Sequence, residues 1–129
     1  MAGNKVLLDT NIISALFKGD VTIANHIDKS DVYLSSIIIG ELCYGAEYST
    51  KIKQNIANIK QLISAYNILT IDDETALIYG KIKADLRRKG TPIPENDIWI
   101  ASSAIQHKLK LSTRDKHFQE ITGLTILNW

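Results

Sequence analysis

An α/β fold with a central, mostly parallel sheet of about five strands is what this sequence predicts. Two observations predict it. Short apolar runs alternate along the chain with longer segments of helical periodicity. Glycine or proline stops, such as Gly19 and the Gly90 to Pro92 pair, separate several of these segments. Strands that alternate with helices form βαβ units, so the helices cover both faces in three α/β/α layers.

The elements follow in order. Residues 5–8 read as a short buried strand, 11–18 as a helix closed by Gly19, and 21–29 as a second helix. A second strand is expected over 31–35, and Ser36 is placed to cap a helix running to about Ser49. The clearest helix spans 51–65, where Ile52, Ile56, Ile59 and Ile63 recur at spacings of four, three and four. A strand over 66–71 leads to a long helix over 73–89, with Ile78, Ile82 and Leu86 on one row. Helix 97–108 follows, with Ala101 and Ala104 allowing close packing. A strand at 110–112, a helical turn at 116–120 and a last strand at 124–127 complete the pattern.

The chain of 129 residues is expected to be one domain, 1–129. Hydrophobic residues make up 45% and charged residues 22%, a globular balance rather than a disordered one. Cys43 is the single cysteine, which excludes an intrachain disulfide and a cysteine-based zinc cage. No leader pattern opens the sequence, and no apolar run approaches the roughly 20 residues of a bilayer span. A cytoplasmic location is expected. The net charge of +1 offers no general attraction for a polyanion, so nucleic-acid chemistry would need a local site.

Open parallel sheets bind ligands outside the carboxyl ends of their strands. Four acids fall there. Asp9 follows the first strand directly, Asp115 lies three residues beyond Ser112, Asp97 opens a helix, and Glu41 lies inside the helix after the second strand. Each acid has a second reading. Asp at a strand–helix junction is an ordinary helix cap, worth about 1 kcal/mol. Glu41 is past the capping positions, and its alternative is a solvent-facing helical residue. Carboxylates converging at one edge repel each other unless a cation joins them. Hard oxygen donors with no cysteine or histidine among them suit Mg²⁺ or Mn²⁺ rather than zinc. Such an ion supports phosphodiester hydrolysis, and its charge would let a nearly neutral protein hold a polyanion.

The residues around these acids carry a resemblance. Leu7-Leu8-Asp9-Thr10-Asn11, Glu41-Leu42 with Tyr44-Gly45-Ala46, Pro94-Glu95-Asn96-Asp97 before Ile98-Trp99-Ile100-Ala101, and Ser112-Thr113-Arg114-Asp115 with Phe118 stand in order along nearly the whole chain. The chain thereby resembles PIN-domain proteins, and within them the VapC-type ribonuclease toxins of toxin–antitoxin pairs. That resemblance implies a PIN-like fold and a Mg²⁺- or Mn²⁺-dependent endoribonuclease acting on tRNA or rRNA. Asp9, Glu41 and Asp97 match its invariant acids, and Asp115 a position that is Asp or Asn among relatives. Asn11 and Thr113 match polar positions that orient the acids, and Asn96 is placed to help hold Asp97. Many relatives carry an acid where this chain has His117, which leaves a second metal open. The resemblance also implies a homodimer and a VapB-type antitoxin whose tail reaches the acidic pocket. Leu42, Cys43, Tyr44 and Tyr48 are candidates for its groove, or for core and dimer contacts.

Other residues have two readings as well. The basic run Arg87-Arg88-Lys89 either tracks phosphates or is a solvated helix end, where cations are favoured. Arg114 and Lys116 flank Asp115 and could reach substrate phosphates. Trp99 either stacks on a base or packs internally. A housekeeping RNA-processing nuclease is the alternative within the same fold. A receiver-like signalling domain is a distant one, because Asp72-Asp73 has no acidic partner pair after the first strand.

Overall fold

The computed structural model describes residues 4–129. Five strands form one parallel sheet in the order β3-β2-β1-β4-β5. In chain order these are β1 (Asn4–Leu8), α1 (Thr10–Phe17), α2 (Val21–Asp28), β2 (Ser30–Ser35), α3 (Ser36–Glu47), α4 (Ile52–Ala65), β3 (Asn67–Leu69), α5 (Asp73–Lys89), α6 (Glu95–Gln106), β4 (Lys110–Ser112), a 3-10 turn (Lys116–Glu120) and β5 (Ile126–Leu127). The sheet is wholly parallel where a mostly parallel one was expected.

The path explains the layers. The chain steps outward from β1 to β2 and β3, then returns to β4 on the other side of β1. Right-handed crossovers put the helices of the outward steps on one face and those of the return on the other. The crevice between the carboxyl ends of β1 and β4 is therefore the topological switch point. Register sets this edge: Leu8 pairs with Ser112, and the Asp9 N–H donates to the Ser112 carbonyl at 3.0 Å.

The core lies on both sides of the central strands. Leu7, Leu8, Ile12, Leu34, Ile100 and Phe118 are fully buried. Phe118 matters locally because it anchors the 3-10 turn that carries Asp115 and His117. Burial of such a ring contributes about 2–3 kcal/mol.

Several expected boundaries shift, each for a physical reason. The two strands read too long, 66–71 and 124–127, are the edge strands β3 and β5; each pairs on one side only, so its ladder ends sooner. Helix α6 begins at Glu95 rather than Asp97, because Pro94, with φ −56°, precedes a helix without strain. Ser35, not Ser36, caps α3, its Oγ accepting from the Ile38 N–H at 3.2 Å. On α4 the buried residues are Ile59 and Leu62, while Ile52 and Ile63 are both 42% exposed. The isoleucine row overhangs the core at its two ends. Helix α5 keeps its expected span and stops at Gly90, whose φ of 71° is left-handed.

Ser35 both ends β2 and starts the helix that carries Glu41, and it is fully buried. Ser35→Ala should destabilise the fold by about 1–2 kcal/mol. Urea unfolding checks this: the midpoint should fall with the slope unchanged.

Candidate active site

Asp9 leaves β1 at the switch point and is 5% exposed. It does cap α1, with Oδ1 accepting from the Thr10 N–H at 2.8 Å. Its other oxygen accepts from the Thr113 hydroxyl at 2.7 Å. The same hydroxyl accepts from the Asp115 N–H at 3.0 Å, so Thr113 links the two acids. Asn11 completes the junction: its Nδ2 lies 3.4 Å from Asp9 Oδ2, and its Oδ1 accepts from the Arg114 N–H at 3.2 Å. Asn11 and Thr113 thus fix the β1 and β4 ends relative to each other.

Glu41 reaches this edge from the middle of α3. Its Oε1 accepts from the Thr10 hydroxyl at 2.7 Å, and its Oε2 from Asn96 Nδ2 at 3.4 Å. Asn96 therefore holds Glu41 rather than its neighbour Asp97. A helical residue and the one after it point about 100° apart, which is why sequence adjacency misleads here. Thr10 is the site residue that sequence reasoning passed over. Its signal was a hydroxyl in the first helical turn directly after Asp9.

Asp97 sits in the first turn of α6 and is 9% exposed. Its Oδ2 lies 3.3 Å from His117 Nδ1. Asp115 caps the 3-10 turn, accepting from the His117 N–H at 3.0 Å, and its Oδ1 also lies 3.0 Å from His117 Nδ1. The capping reading thus holds for Asp9 and Asp115 alongside the convergence, and it fails for Asp97.

Asp9, Glu41, Asp97 and Asp115 all line one open cavity of about 760 Å³. Lys18 and Arg114 stand on its wall. Arg114 pairs with Asp20 at 3.3 Å. Burial raises the Asp97 carboxyl from the ordinary 3.8 to about 6, against the His117 hydrogen bond, with the Asp9 and Asp115 charges adding to the rise. Asp9 is also raised by burial, opposed by its Thr113 and Thr10 bonds and assisted by the Glu41 and Asp115 charges. Two desolvated acids among other acids form a site short of positive charge. Their oxygens fit a hard divalent cation.

Trp99 and the basic run at the end of α5 are not among the residues lining this cavity. Trp99 stacks on Tyr79 with centroids 3.9 Å apart, which is packing. Lys83 pairs with Glu95 beside that stack. The Arg87-Arg88-Lys89 run ends α5 as exposed cations, and Lys89 pairs with Asp85 at 3.0 Å.

The raised Asp97 value fixes a sign. Between pH 3.8 and about 6 the folded protein binds more protons than the unfolded chain, so this group's contribution to stability falls as pH rises. In EDTA, Asp97→Asn should therefore melt above the wild type at pH 7. The gap should close as pH is lowered from about 6 to 4 in calorimetric scans. A melting point below wild type at pH 7 contradicts the desolvation argument.

Residues 6–124 match the PIN domain family. The chain is 34% identical to the tRNA(fMet)-specific endonuclease VapC of Salmonella typhimurium, covering 97% of this chain and 98% of that one. It is 35% identical to ribonuclease VapC2 of Haemophilus influenzae with the same coverage. Among solved structures, VapBC2 from Rickettsia felis, bound to a DNA fragment from its promoter, superposes with a TM-score of 0.90 at 31% identity, covering 97% of this chain and 98% of that one. VapBC-1 from nontypeable Haemophilus influenzae gives 0.89 at 35% identity, again covering 97% and 98%. The receiver-like alternative falls here, and Asp72 is accounted for as the cap of α5, in a reciprocal box with Thr75. With the α/β/α sheet and the acids at its switch point, these matches make the chain a member of the PIN-domain family, in its VapC branch.

Proposed function

We propose that this protein is a divalent-cation-dependent endoribonuclease toxin that cuts tRNA or rRNA in the cytoplasm and is restrained by a cognate VapB-type antitoxin. The observation that carries the reading is the meeting of Asp9, Glu41, Asp97 and Asp115, from four separate stretches of the chain, in one cavity. Substrate class and partner follow from relatives that are a tRNA(fMet)-specific endonuclease and VapBC complexes.

Asp9 and Asp97, with Asp115, would hold Mg²⁺ or Mn²⁺. Held there, such an ion would supply a water of lowered pKa and positive charge against the charge developing on the phosphate. The chain's own residues do the positioning. Thr10 and Thr113 fix both Asp9 oxygens, so that acid cannot swing. Thr10 and Asn96 hold Glu41 from two sides, which leaves it facing the cavity to orient the attacking water and take its proton. Lys18 and Arg114 offer cations for the flanking phosphates, Arg114 by exchanging its Asp20 partner.

A mostly apolar groove between α1, α3 and α4, lined by Phe17, Leu42, Ala46 and Ile59, runs up to Glu41. It suits an antitoxin segment ending at the acids. Tyr44 and Tyr48 lie outside it, 71% and 83% exposed and stacked at 6.0 Å, which suits the surface of a homodimer.

The test is cleavage of tRNA and rRNA by the purified chain with Mg²⁺ or Mn²⁺. EDTA should abolish it. Loss of an outer partner of a metal ligand alone costs roughly 10–100-fold, so Asp9→Asn and Asp97→Asn should each lower the rate at least about 100-fold with unchanged circular dichroism. Full activity in either variant overturns the assignment.

A further inference from the structure

His117 is the feature of the site that the reading above does not use. Its imidazole faces the acids from a 3-10 turn tied at both ends. Phe118, fully buried, pins the turn from one side, and the Asp115 carboxylate caps it from the other. From that position Nδ1 faces two carboxylates, 3.0 Å from Asp115 Oδ1 and 3.3 Å from Asp97 Oδ2. One ligand atom from each of the three residues lies within 4.8 Å of the other two.

These lengths have a second meaning. Ligand bonds of about 2.1 Å at right angles put neighbouring donors about 3.0 Å apart. The two Nδ1–oxygen separations match that edge closely. The imidazole side chain is 52% exposed, so the position opens to solvent and has room for water and a substrate phosphate.

We propose that His117 Nδ1 is a metal ligand, and that with Asp97 and Asp115 it forms a second cation position that prefers divalent transition ions such as Mn²⁺ to Mg²⁺. The inference rests on the metal-dependent reading above and deepens it. Asp97 is then the shared carboxylate: with Asp9 it serves an all-oxygen position, and with His117 a mixed one. Mg²⁺ keeps to oxygen donors and sheds water reluctantly, whereas imidazole suits first-row transition ions, among which Mn²⁺ binds it least tightly. A carboxylate at the same place would leave both positions all-oxygen and indifferent to this distinction.

The experiment is pulsed EPR of the full chain loaded with Mn²⁺, paired with calorimetric titration of Mn²⁺ and of Mg²⁺. The wild type should show nitrogen-14 coupling to Mn²⁺ and should bind two Mn²⁺ per chain. His117→Ala should lose the coupling and one of the two ions, or bind it at least about tenfold more weakly. His117→Asp should keep two ions while losing the nitrogen signal and the Mn²⁺ preference. Bound Mn²⁺ with no nitrogen coupling in the wild type, or coupling that survives His117→Ala, overturns the role of His117 and leaves the nuclease reading standing. Absence of any Mn²⁺ or Mg²⁺ binding overturns both.

Discussion

The parallel pairing of β1 with β4 is the constraint on which the rest depends. These strands are far apart in sequence, and Leu8 opposite Ser112 makes them neighbours at the centre of the sheet. Every side chain in a strand is assigned to a face by register, and a slip of one residue would reverse the assignment. Here the register puts Asp9 and Thr113 side by side just past the ladder, where a single hydroxyl joins two acids. The apolar residues of β1 supply the stability, and the first polar residue after them supplies the chemistry.

Around that pair the site is an exercise in holding like charges together. Burial and mutual repulsion act against ionised Asp9 and Asp97, and hydrogen bonds act for them. The fold accepts this cost because the hydrophobic core beneath the sheet edge is tightly closed, with Ile12, Ile98, Ile100 and Phe118 at 3% exposure or less. A divalent cation held there would reverse the balance, since the two carboxylates that destabilise the metal-free protein would become ligands. Function and stability would then be opposed in the free chain and aligned in the loaded one.

Much of this was legible in the sequence, and the limits were physical. Central strands and long helices were read well because their apolar residues repeat with a clear period, as at Ile78, Ile82 and Leu86. The edge strands β3 and β5 were overextended, since where a one-sided ladder ends depends on its neighbour. Asp9, Glu41, Asp97 and Asp115 could be placed at one edge because topology alone brings strand ends there. The bonds that orient them could not. Thr10 to Glu41 and Asn96 to Glu41 span 31 and 55 residues and depend on how α1, α3 and α6 meet above the sheet. His117 stood next to the site in the sequence, and only the geometry of the 3-10 turn aims its ring at both Asp97 and Asp115.

The central claim is that the acids at the β1–β4 edge exist to hold a cation. Anomalous diffraction from crystals soaked in Mn²⁺ tests it most directly. The account predicts a peak within coordination distance of the Asp9 and Asp97 carboxylates, absent from Asp9→Asn crystals under the same conditions. Fully ordered crystals with no peak at these acids, or with the strongest peak elsewhere on the chain, would contradict it.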